Sequence, residues 1–387
     1  MLDLTFGALL DRIHHIGKET IAKHAGEVDR DARFPHEAYA ALRTEKLLSA
    51  YVPSEHGGMG LTITELSQIC EVLSYYCAST AMIYAMHQIQ IGCIVHHALG
   101  SEFFRGYVRE LCDKQYLLAS ATTELGVGGD VRTSICAVVV KDGRFTLAKQ
   151  APVISYGAHA DGILVTCRRA EDAPPSDQVQ VLVRKQDYTL KQLSDWDTLG
   201  FRGTCSCGFE LTSSGSAEQI LPQPYRDIHS RTMHPFSHIV WGSLWLGIAV
   251  DAMNRARGVV RTQARKNPGS QPISSVRLAE ADMVLFQMRG GLQSTLSDYQ
   301  ALLDGTIDES STYGFPIKVN NLKLASSTLV VDIVGRAMII CGIAGYQNKS
   351  KMSLTRHLRD AYGAALMVNN DRIMQQSATM LIAQRDA

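Results

Sequence analysis

Hydrophobic periodicity changes twice along this chain of 387 residues, and that change restricts the fold more than any other feature. Up to about residue 115, and again from about residue 231, apolar residues recur at helical spacing. Between about 116 and 230 they fall in short alternating runs separated by turn residues, as in strands. The sequence therefore predicts an α+β, mostly α protein with an N-terminal helical domain (1–115), a middle antiparallel β-barrel (116–230) and a C-terminal four-helix bundle (231–387).

Local signals support each of these domains. Thr62 and Glu65 have the spacing of a capping box, and the segment from about 79 to 98 is apolar nearly all round, which predicts a buried helix. Asp142-Gly143 between two apolar runs predicts a tight hairpin. In the last third, four long segments with helical periodicity predict the bundle, at about 237–266, 274–304, 316–343 and 357–384.

The segment Thr122–Asp130, with the sequence Thr-Thr-Glu-Leu-Gly-Val-Gly-Gly-Asp, is the first candidate binding site. Glycines such as Gly128 and Gly129 let a backbone approach a bulky ligand closely and adopt turns that a side chain would forbid. Successive peptide N–H groups of such a loop can form a nest for an anion. The hydroxyls of Thr122 and Thr123 can hydrogen-bond a polar ring.

Five segments, in order along the chain, resemble the motifs of the acyl-CoA dehydrogenase superfamily. Thr123–Asp130 resembles T-E-x-G-x-G-x-D, Val153–Asp161 resembles the W-I-T-N-G-x-x-A-D strand, and Leu199–Thr204 resembles the L-G-x-R-G-[ST] turn. Further on, Ala264–Gly269 resembles R-x-x-F-G, and Cys341–Tyr346 resembles F-G-G-x-G-[FY]. The resemblance covers essentially the whole chain, and it implies an FAD-dependent oxidoreductase with the three-domain architecture of that family.

The first two motifs imply which residues would lie along the flavin ring of FAD. These are the loop residues Thr122, Thr123, Gly128 and Gly129, together with Ser155, whose hydroxyl would approach the reactive nitrogen of the flavin. In the family a tryptophan shields the edge of the ring, and here Val153 stands in its place. That replacement opens space beside the flavin.

The last two motifs imply contacts to an FAD bound by a neighbouring subunit. Arg265 would bind the pyrophosphate, because a planar guanidinium pairs with two phosphate oxygens at once. Arg261 is the alternative, since Pro268 replaces the family's phenylalanine and the helix is about two residues longer than usual. Gly342 and Gly345 would lie against the adenosine. A site shared in this way implies an oligomer, by analogy a homotetramer.

The glutamate that serves this family as general base is missing from both of its usual places. Val368 or Asn369 occupies the position after Arg359-Asp360-Ala361 where one branch has it. About Ser237 is the position that a second branch uses. A positioned base contributes roughly 10²- to 10⁴-fold to the rate. The nearby candidates for a replacement are His87, His234, His238 and Asn369.

Three functions agree with this pattern. The first is α,β-dehydrogenation of an acyl thioester, carried by CoA or a carrier protein, with a relocated base and an electron-transfer partner. The second is an oxygen-using monooxygenase of the same fold, whose chemistry with O₂ needs no base at the α-carbon. The third is a non-catalytic subunit that completes the FAD site of a catalytic partner.

Composition argues against several other classes of protein. Lys plus Arg and Asp plus Glu number 38 each, so no net charge favours nucleic acid or an acidic membrane. No apolar run approaches the roughly 18 residues of a membrane span. Cys205 and Cys207 are too close together for a zinc motif, and no metal site is predicted. The segment Met1–His15 does not resemble an export signal, which predicts a cytoplasmic protein.

Overall fold

The computed structural model describes residues 5–128, 130–266, 268–306 and 314–383. The N-terminal region is helical, with α1 (Phe6–Ile16), α2 (Ala22–Arg30), α3 (His36–Thr44), α4 (Ile63–Tyr76), α5 (Ala78–His97) and α6 (Glu102–Lys114). Thr62 and Glu65 form both hydrogen bonds of the capping box that opens α4. Helix α5 is buried along most of its length, as its uniformly apolar sequence predicts.

The middle of the chain forms two small sheets. The strands are β1 (Leu118–Ala121), β2 (Val139–Lys141), β3 (Arg144–Ala151), β4 (Gly162–Arg168), β5 (Gln178–Arg184), β6 (Tyr188–Ser194) and β7 (Gly208–Ser216). One sheet has the order β1-β4-β5 and the other β2-β3-β7-β6. Asp142 and Gly143, with φ of 51° and 74°, make the predicted hairpin between β2 and β3.

One strand pair departs from the antiparallel prediction. β1 runs parallel to β4, with Leu118 opposite Gly162. The chain between these two strands builds β2 and β3 in the other sheet before it returns, and such a long crossover permits parallel pairing. β1 therefore lies inside the fold, and its end leads directly into the Gly-rich loop.

The C-terminal region is a helix bundle. It contains α7 (Tyr225–Ile228), α8 (His234–Lys266), α9 (Ile273–Leu303), α10 (Gly314–Cys341), α11 (Ile343–Tyr346), α12 (Thr355–Leu366) and α13 (Asn370–Ala383). The mostly helical fold with a small β region is thereby confirmed. A π-helical turn at His229–Met233 joins α7 to α8, so the first helical segment begins at Tyr225, earlier than predicted. The last predicted segment is two helices, because the chain leaves helical geometry at Val368, where φ is 51°.

Helix α8 is the central element of the protein, since it packs against α4 and α5 as well as α9 and α10. The contact with α4 is close at Gly247. A Cβ atom at this position would lie 2.2 Å from the Glu71 carbonyl oxygen and 2.8 Å from Ser74 Cβ. Glycine is therefore required here so that the two helix backbones can approach.

We expect Gly247→Ala to destabilise the protein by about 1–3 kcal/mol, because the added methyl group forces α4 and α8 apart. Gly258→Ala on the same helix is the matched control, since a Cβ there meets nothing within 4 Å. That change should stabilise the protein by about 0.5–1 kcal/mol through helix propensity. Urea unfolding measures both free energies, and equal effects at the two positions would contradict the close packing at Gly247.

Two helical segments are long and apolar enough to cross a membrane by length and composition alone. They are Tyr225–Lys266, whose most apolar window is 89% buried in the protein, and Gly314–Cys341, whose window is 44% buried. The apolar residues of the first segment face neighbouring helices, which accounts for their number. The absence of a membrane span remains a prediction from the sequence.

Candidate functional site

A buried carboxylate anchors the Gly-rich loop. Glu124 accepts hydrogen bonds from the Ser134 hydroxyl (2.6 Å) and from the backbone N–H groups of Ile135 (3.1 Å) and Cys136 (2.6 Å). Lys149 Nζ, fully buried, lies 3.6 Å from the same carboxylate. Glu124 was not among the residues predicted from the sequence to have a role of their own. It could have been recognised as the one charged side chain among the threonines and glycines of Thr122–Gly128.

The loop and the strand-end motif meet, as their resemblance to flavin-binding segments implies. The Thr123 hydroxyl donates to the Val153 carbonyl (3.2 Å). Two residues on, Ser155 accepts a hydrogen bond from the Ser206 hydroxyl (2.8 Å), which leaves its own O–H free to donate. Thr122 lies at the other side of the loop, in contact with the Ser120 hydroxyl (2.8 Å). The Ser155 O–H donor beside a glycine backbone fits the polar edge of a flavin ring.

Glycine is needed in the loop for its backbone geometry. Gly126 and Gly128 have φ of 93° and 60°, in the left-handed region. The Gly128 carbonyl accepts a hydrogen bond from the Arg372 guanidinium of α13, which ties the loop to the bundle. Gly129, also predicted to bind the cofactor, lies outside the described residues.

A row of histidines runs from this loop into the bundle. Asp130 and Arg132 are close enough to His229 to affect its pKa. The His229 ring stacks on His234, with centroids 5.7 Å apart, and His234 meets His238 at 4.5 Å. His234 Nε2 is bound to Asn320 Oδ1 of α10 (2.8 Å). Within the described part of the chain, no group of three or more His, Cys, Asp or Glu residues could hold a metal ion.

Burial keeps these imidazoles neutral. It lowers the pKa of His229 to about 3, and the positive charges of His234 and Arg132 act in the same direction. Burial also lowers the pKa of His238 well below its usual value, again helped by nearby positive charge, including that of Lys323. At neutral pH the row is therefore uncharged, and each ring offers one N–H donor and one acceptor.

Lys323 occupies the place near which the family has its carboxylate. This lysine of α10 is fully buried, and its Nζ donates to the Val368 carbonyl (2.6 Å) and to Asn370 Oδ1 (2.5 Å). Val368 has a positive φ of 51°, an unfavourable conformation for a β-branched residue. Lys323 was not among the residues predicted from the sequence. It could have been recognised as a lysine at helical spacing from Asn320 and Ser326, on the face of α10 that is buried.

Two of the predicted base candidates have structural roles. Both ring nitrogens of His87 are bound to backbone, at the Leu48 carbonyl (2.7 Å) and the Leu118 N–H (3.0 Å), so neither is free to accept a substrate proton. Asn369 accepts a hydrogen bond from the Asp371 N–H (2.7 Å) and thus caps α13. His238 differs from these two, because its buried Nε2 has no hydrogen-bond partner among the described residues.

Three of the four residues predicted to contact a neighbour's cofactor are exposed, namely Arg261, Arg265 and Gly342, whereas Gly345 is buried. Arg265 and Arg261 are exposed near the end of α8. Gly342 has φ of 60° and begins α11. Gly345 is buried against Cys341, whose Cβ would lie 2.8 Å from an added methyl group.

Comparison with known proteins agrees with this arrangement. Residues 7–115 match the acyl-CoA dehydrogenase N-terminal domain, and residues 236–374 match the acyl-CoA dehydrogenase C-terminal domain. The probable acyl-CoA dehydrogenase fadE25 of Mycobacterium leprae is 32% identical over 90% of this chain and 88% of its own. The amino sugar nitrososynthase DnmZ of Streptomyces peucetius is 24% identical over 88% and 84%.

Among solved structures, FMN-bound TdsC of Paenibacillus sp. A11-2, a dibenzothiophene monooxygenase, has the same fold. Its TM-score is 0.82 at 18% identity, over 97% of both chains.

Proposed function

The chain belongs to the acyl-CoA dehydrogenase family of flavoproteins, and within this family we propose that it is an oxygen-using monooxygenase. The observation that carries this proposal is the turn at Val368, where a base would be needed for dehydrogenation. There the backbone carbonyl is bound by the buried Lys323 ammonium. The hydrogen bonds of this ammonium to the described residues go to that carbonyl and to the Asn370 amide oxygen, and none goes to a carboxylate. Since burial lowers the pKa of Lys323 only to about 8, the lysine is mostly protonated at pH 7 and cannot accept the α-proton that dehydrogenation removes.

The histidine row supports the same choice. A general base works best when its pKa lies near the working pH, whereas burial lowers the pKa of His229 to about 3 and that of His238 well below its usual value. Dehydrogenation with a relocated base is the second candidate function. The free Nε2 of His238 favours it, together with the 32% identity to a probable acyl-CoA dehydrogenase.

Two of the similar proteins support the proposal of a reaction with O₂ on this fold. A nitrososynthase matches most of the chain in sequence, and a dibenzothiophene monooxygenase matches its fold. A reduced flavin, supplied with electrons by an external reductase, would give two electrons to O₂, so that one oxygen atom enters the substrate and the other leaves as water. This chain would bind and orient the substrate between the Gly-rich loop and the histidine row.

The cofactor is a flavin, and we propose FAD from the motifs. FMN is the alternative, because Ile343, with a side chain 70% exposed, replaces a glycine of the adenosine-side motif, and because TdsC binds FMN. The ring-side residues, Thr122, Thr123, Gly128 and Ser155, serve either cofactor. Only FAD would use Arg265 and the glycines Gly342 and Gly345.

Arg265→Ala should weaken retention of FAD by about tenfold, since it removes a charge-assisted contact to phosphate. Arg261→Ala, one turn earlier on α8, is the matched control and should bind flavin as the wild type does. Gel filtration followed by chromatography of the released flavin measures the amount and identifies FAD or FMN. Loss in Arg261→Ala alone would move the contact to that residue, and no loss in either would contradict the shared FAD site.

We also propose a homotetramer, as the shared site requires an oligomer. Large apolar side chains are exposed on the bundle, where a second subunit would cover them. Those on α9 are Ile273, Val276, Met283 and Phe286, and those near the end of α10 are Ile339, Ile343 and Tyr346.

Oxygen reactivity of the reduced protein tests the proposed function. The flavin-loaded protein is reduced with dithionite under argon and mixed with aerated buffer in a stopped-flow instrument. We expect fast reoxidation, at least about tenfold faster than reduction of the oxidised protein by hexanoyl-CoA under argon. A reduced flavin that persists in air, together with rapid bleaching by hexanoyl-CoA, would instead establish the dehydrogenase.

A further inference from the structure

Lys323 has a hydrogen-bonding capacity that its observed partners do not exhaust. An ammonium carries three N–H donors. Two are used by the Val368 carbonyl and Asn370 Oδ1, and the Asn370 amide in turn donates to the Ser327 hydroxyl (3.1 Å). No third acceptor for Lys323 occurs among the hydrogen bonds of the described residues. A fully buried cation with a free donor needs a further partner.

Two more buried polar atoms lack hydrogen-bond partners among the described residues. They are His238 Nε2 and Trp241 Nε1, both on the inward face of α8 and without a hydrogen bond to any described residue. Their rings are neighbours, with centroids 5.7 Å apart, and the charge of Lys323 reaches His238. Since His238 Nδ1 is engaged with the Ser237 hydroxyl (3.0 Å), only the Nε2 atom is free.

Such unpaired groups carry a cost in the absence of a ligand. An unsatisfied buried donor or acceptor costs about 1–3 kcal/mol, and native structures satisfy nearly all of them. The available set is two N–H donors, one of them charged, and one acceptor, since the Ser237 hydroxyl donates to the His234 carbonyl and therefore accepts from His238 Nδ1–H. The two donors match the lone pairs and negative charge of an oxygen atom, and His238 Nε2 matches a hydroxyl or N–H donor of the same ligand. An alkyl chain would leave all three groups unpaired.

We propose that Lys323, His238 and Trp241 form a subsite in which Lys323 and Trp241 donate to an oxyanion of the substrate, of the carboxylate, phenolate or enolate type, and His238 Nε2 accepts from a donor group of the same molecule. The subsite rests on the proposed function, because it lies where a dehydrogenase of this family would hold its base. The subsite also indicates the substrate class, which is a compact polar molecule rather than a long alkyl chain. Lys323 is then a substrate-binding and specificity-determining residue.

The pH dependence of binding follows from the lysine. Burial lowers the pKa of Lys323 to about 8. Among the described residues, His238 of α8 is the titratable group whose pKa the Lys323 charge affects, and burial lowers that pKa so far that the ring stays neutral from pH 7 to 9. Val368 and Asn370, at the turn between α12 and α13, contribute neutral groups. An anion needs the protonated lysine, so affinity is present below pH 8 and is lost as the pH rises above it.

Binding of benzoate to the flavin-loaded protein tests the subsite, with toluene as the uncharged probe of similar size. Dissociation constants come from isothermal titration calorimetry, and the flavin difference spectrum is recorded in parallel. We expect Lys323→Met to weaken benzoate binding by about tenfold or more, and Trp241→Phe, which removes only the N–H, by about threefold to tenfold. Lys318→Met on the same helix, a half-buried lysine paired with Asp298, should leave benzoate binding unchanged.

The outcomes separate this proposal from the proposed function. Benzoate binding that is equal in wild type, Lys323→Met and Trp241→Phe, with flavin content unchanged, would overturn the subsite even if the protein reacts with oxygen. The subsite would also be overturned if the wild-type protein bound toluene as tightly as benzoate. Lysine-dependent benzoate binding in a protein whose reduced flavin is stable in air would support the subsite and reject the monooxygenase. Should Lys323→Met fail to fold, Trp241→Phe and the loss of benzoate affinity above pH 8 decide the matter.

Discussion

Glu124→Ala should produce the largest loss of stability among single changes near the site, about 3–5 kcal/mol. The substitution leaves the buried ammonium of Lys149 without its carboxylate. It also leaves the backbone N–H groups of Ile135 and Cys136, which donate to Glu124 in the natural protein, without that acceptor. Because these contacts fix the Gly-rich loop, bound flavin should be lost as well. Chemical unfolding and the flavin content of the purified protein measure the two effects.

Asp130→Ala is the matched control, since Asp130 belongs to the same loop but forms an exposed ion pair with Arg132. Its cost should be below about 1 kcal/mol. Glu124→Gln, which retains an acceptor but not the charge, should fall between the two. If Glu124→Ala kept its flavin and unfolded at the same denaturant concentration as Asp130→Ala, the anchoring role of this carboxylate would be wrong.

A glutamate installed at Val368 should create dehydrogenase activity that the natural chain lacks. The fold already places this turn beside the Gly-rich loop, since Arg372 binds Gly128. A positioned base contributes roughly 10²- to 10⁴-fold. We therefore expect Val368→Glu to reduce its flavin with hexanoyl-CoA under argon about 10²-fold faster than wild type or more. Asn369→Glu, at the next position, is the second variant to measure.

Val368→Gln is the control for shape, because glutamine has the size of glutamate but is not a base. It should reduce as slowly as wild type. Wild-type reduction by hexanoyl-CoA at the rate of the Val368→Glu variant would mean that another residue supplies the base. His238→Ala would then be the first variant to examine, since its Nε2 is the free nitrogen of the row.

Much of the fold was predictable because it depends on local signals. The capping box at Thr62 and the Asp142-Gly143 hairpin are fixed by residues adjacent in sequence, and both form as predicted. The π-helical turn at His229–Met233 was not predictable, because it keeps the apolar pattern of a helix with only a shift in phase. Likewise, nothing next to Val368 predicts its positive φ. The Lys323 ammonium that binds its carbonyl lies on another helix.

The site, like the fold, was predictable where it depends on residues close together in the sequence, and not where it depends on residues far apart. The motifs identify Thr123 and Ser155, which the structure brings together through Val153. Lys323 acts through Val368 and Asn370, which lie far along the chain, so no spacing in the sequence identifies it. His87, by contrast, resembled a candidate base only until its backbone partners, Leu48 and Leu118, were known.

The central claim, that this flavoprotein transfers oxygen rather than removing hydrogen, is tested most directly by a single turnover under ¹⁸O₂. The flavin-loaded protein is reduced, mixed with ¹⁸O₂ and a panel of hydroxybenzoates, amino sugars and acyl-CoAs, and the products are analysed by mass spectrometry. The account predicts an organic product that carries one ¹⁸O atom, from a polar compound with an oxyanion. A product two hydrogens lighter than an acyl-CoA, without ¹⁸O and formed equally well under argon by the oxidised protein, would contradict it.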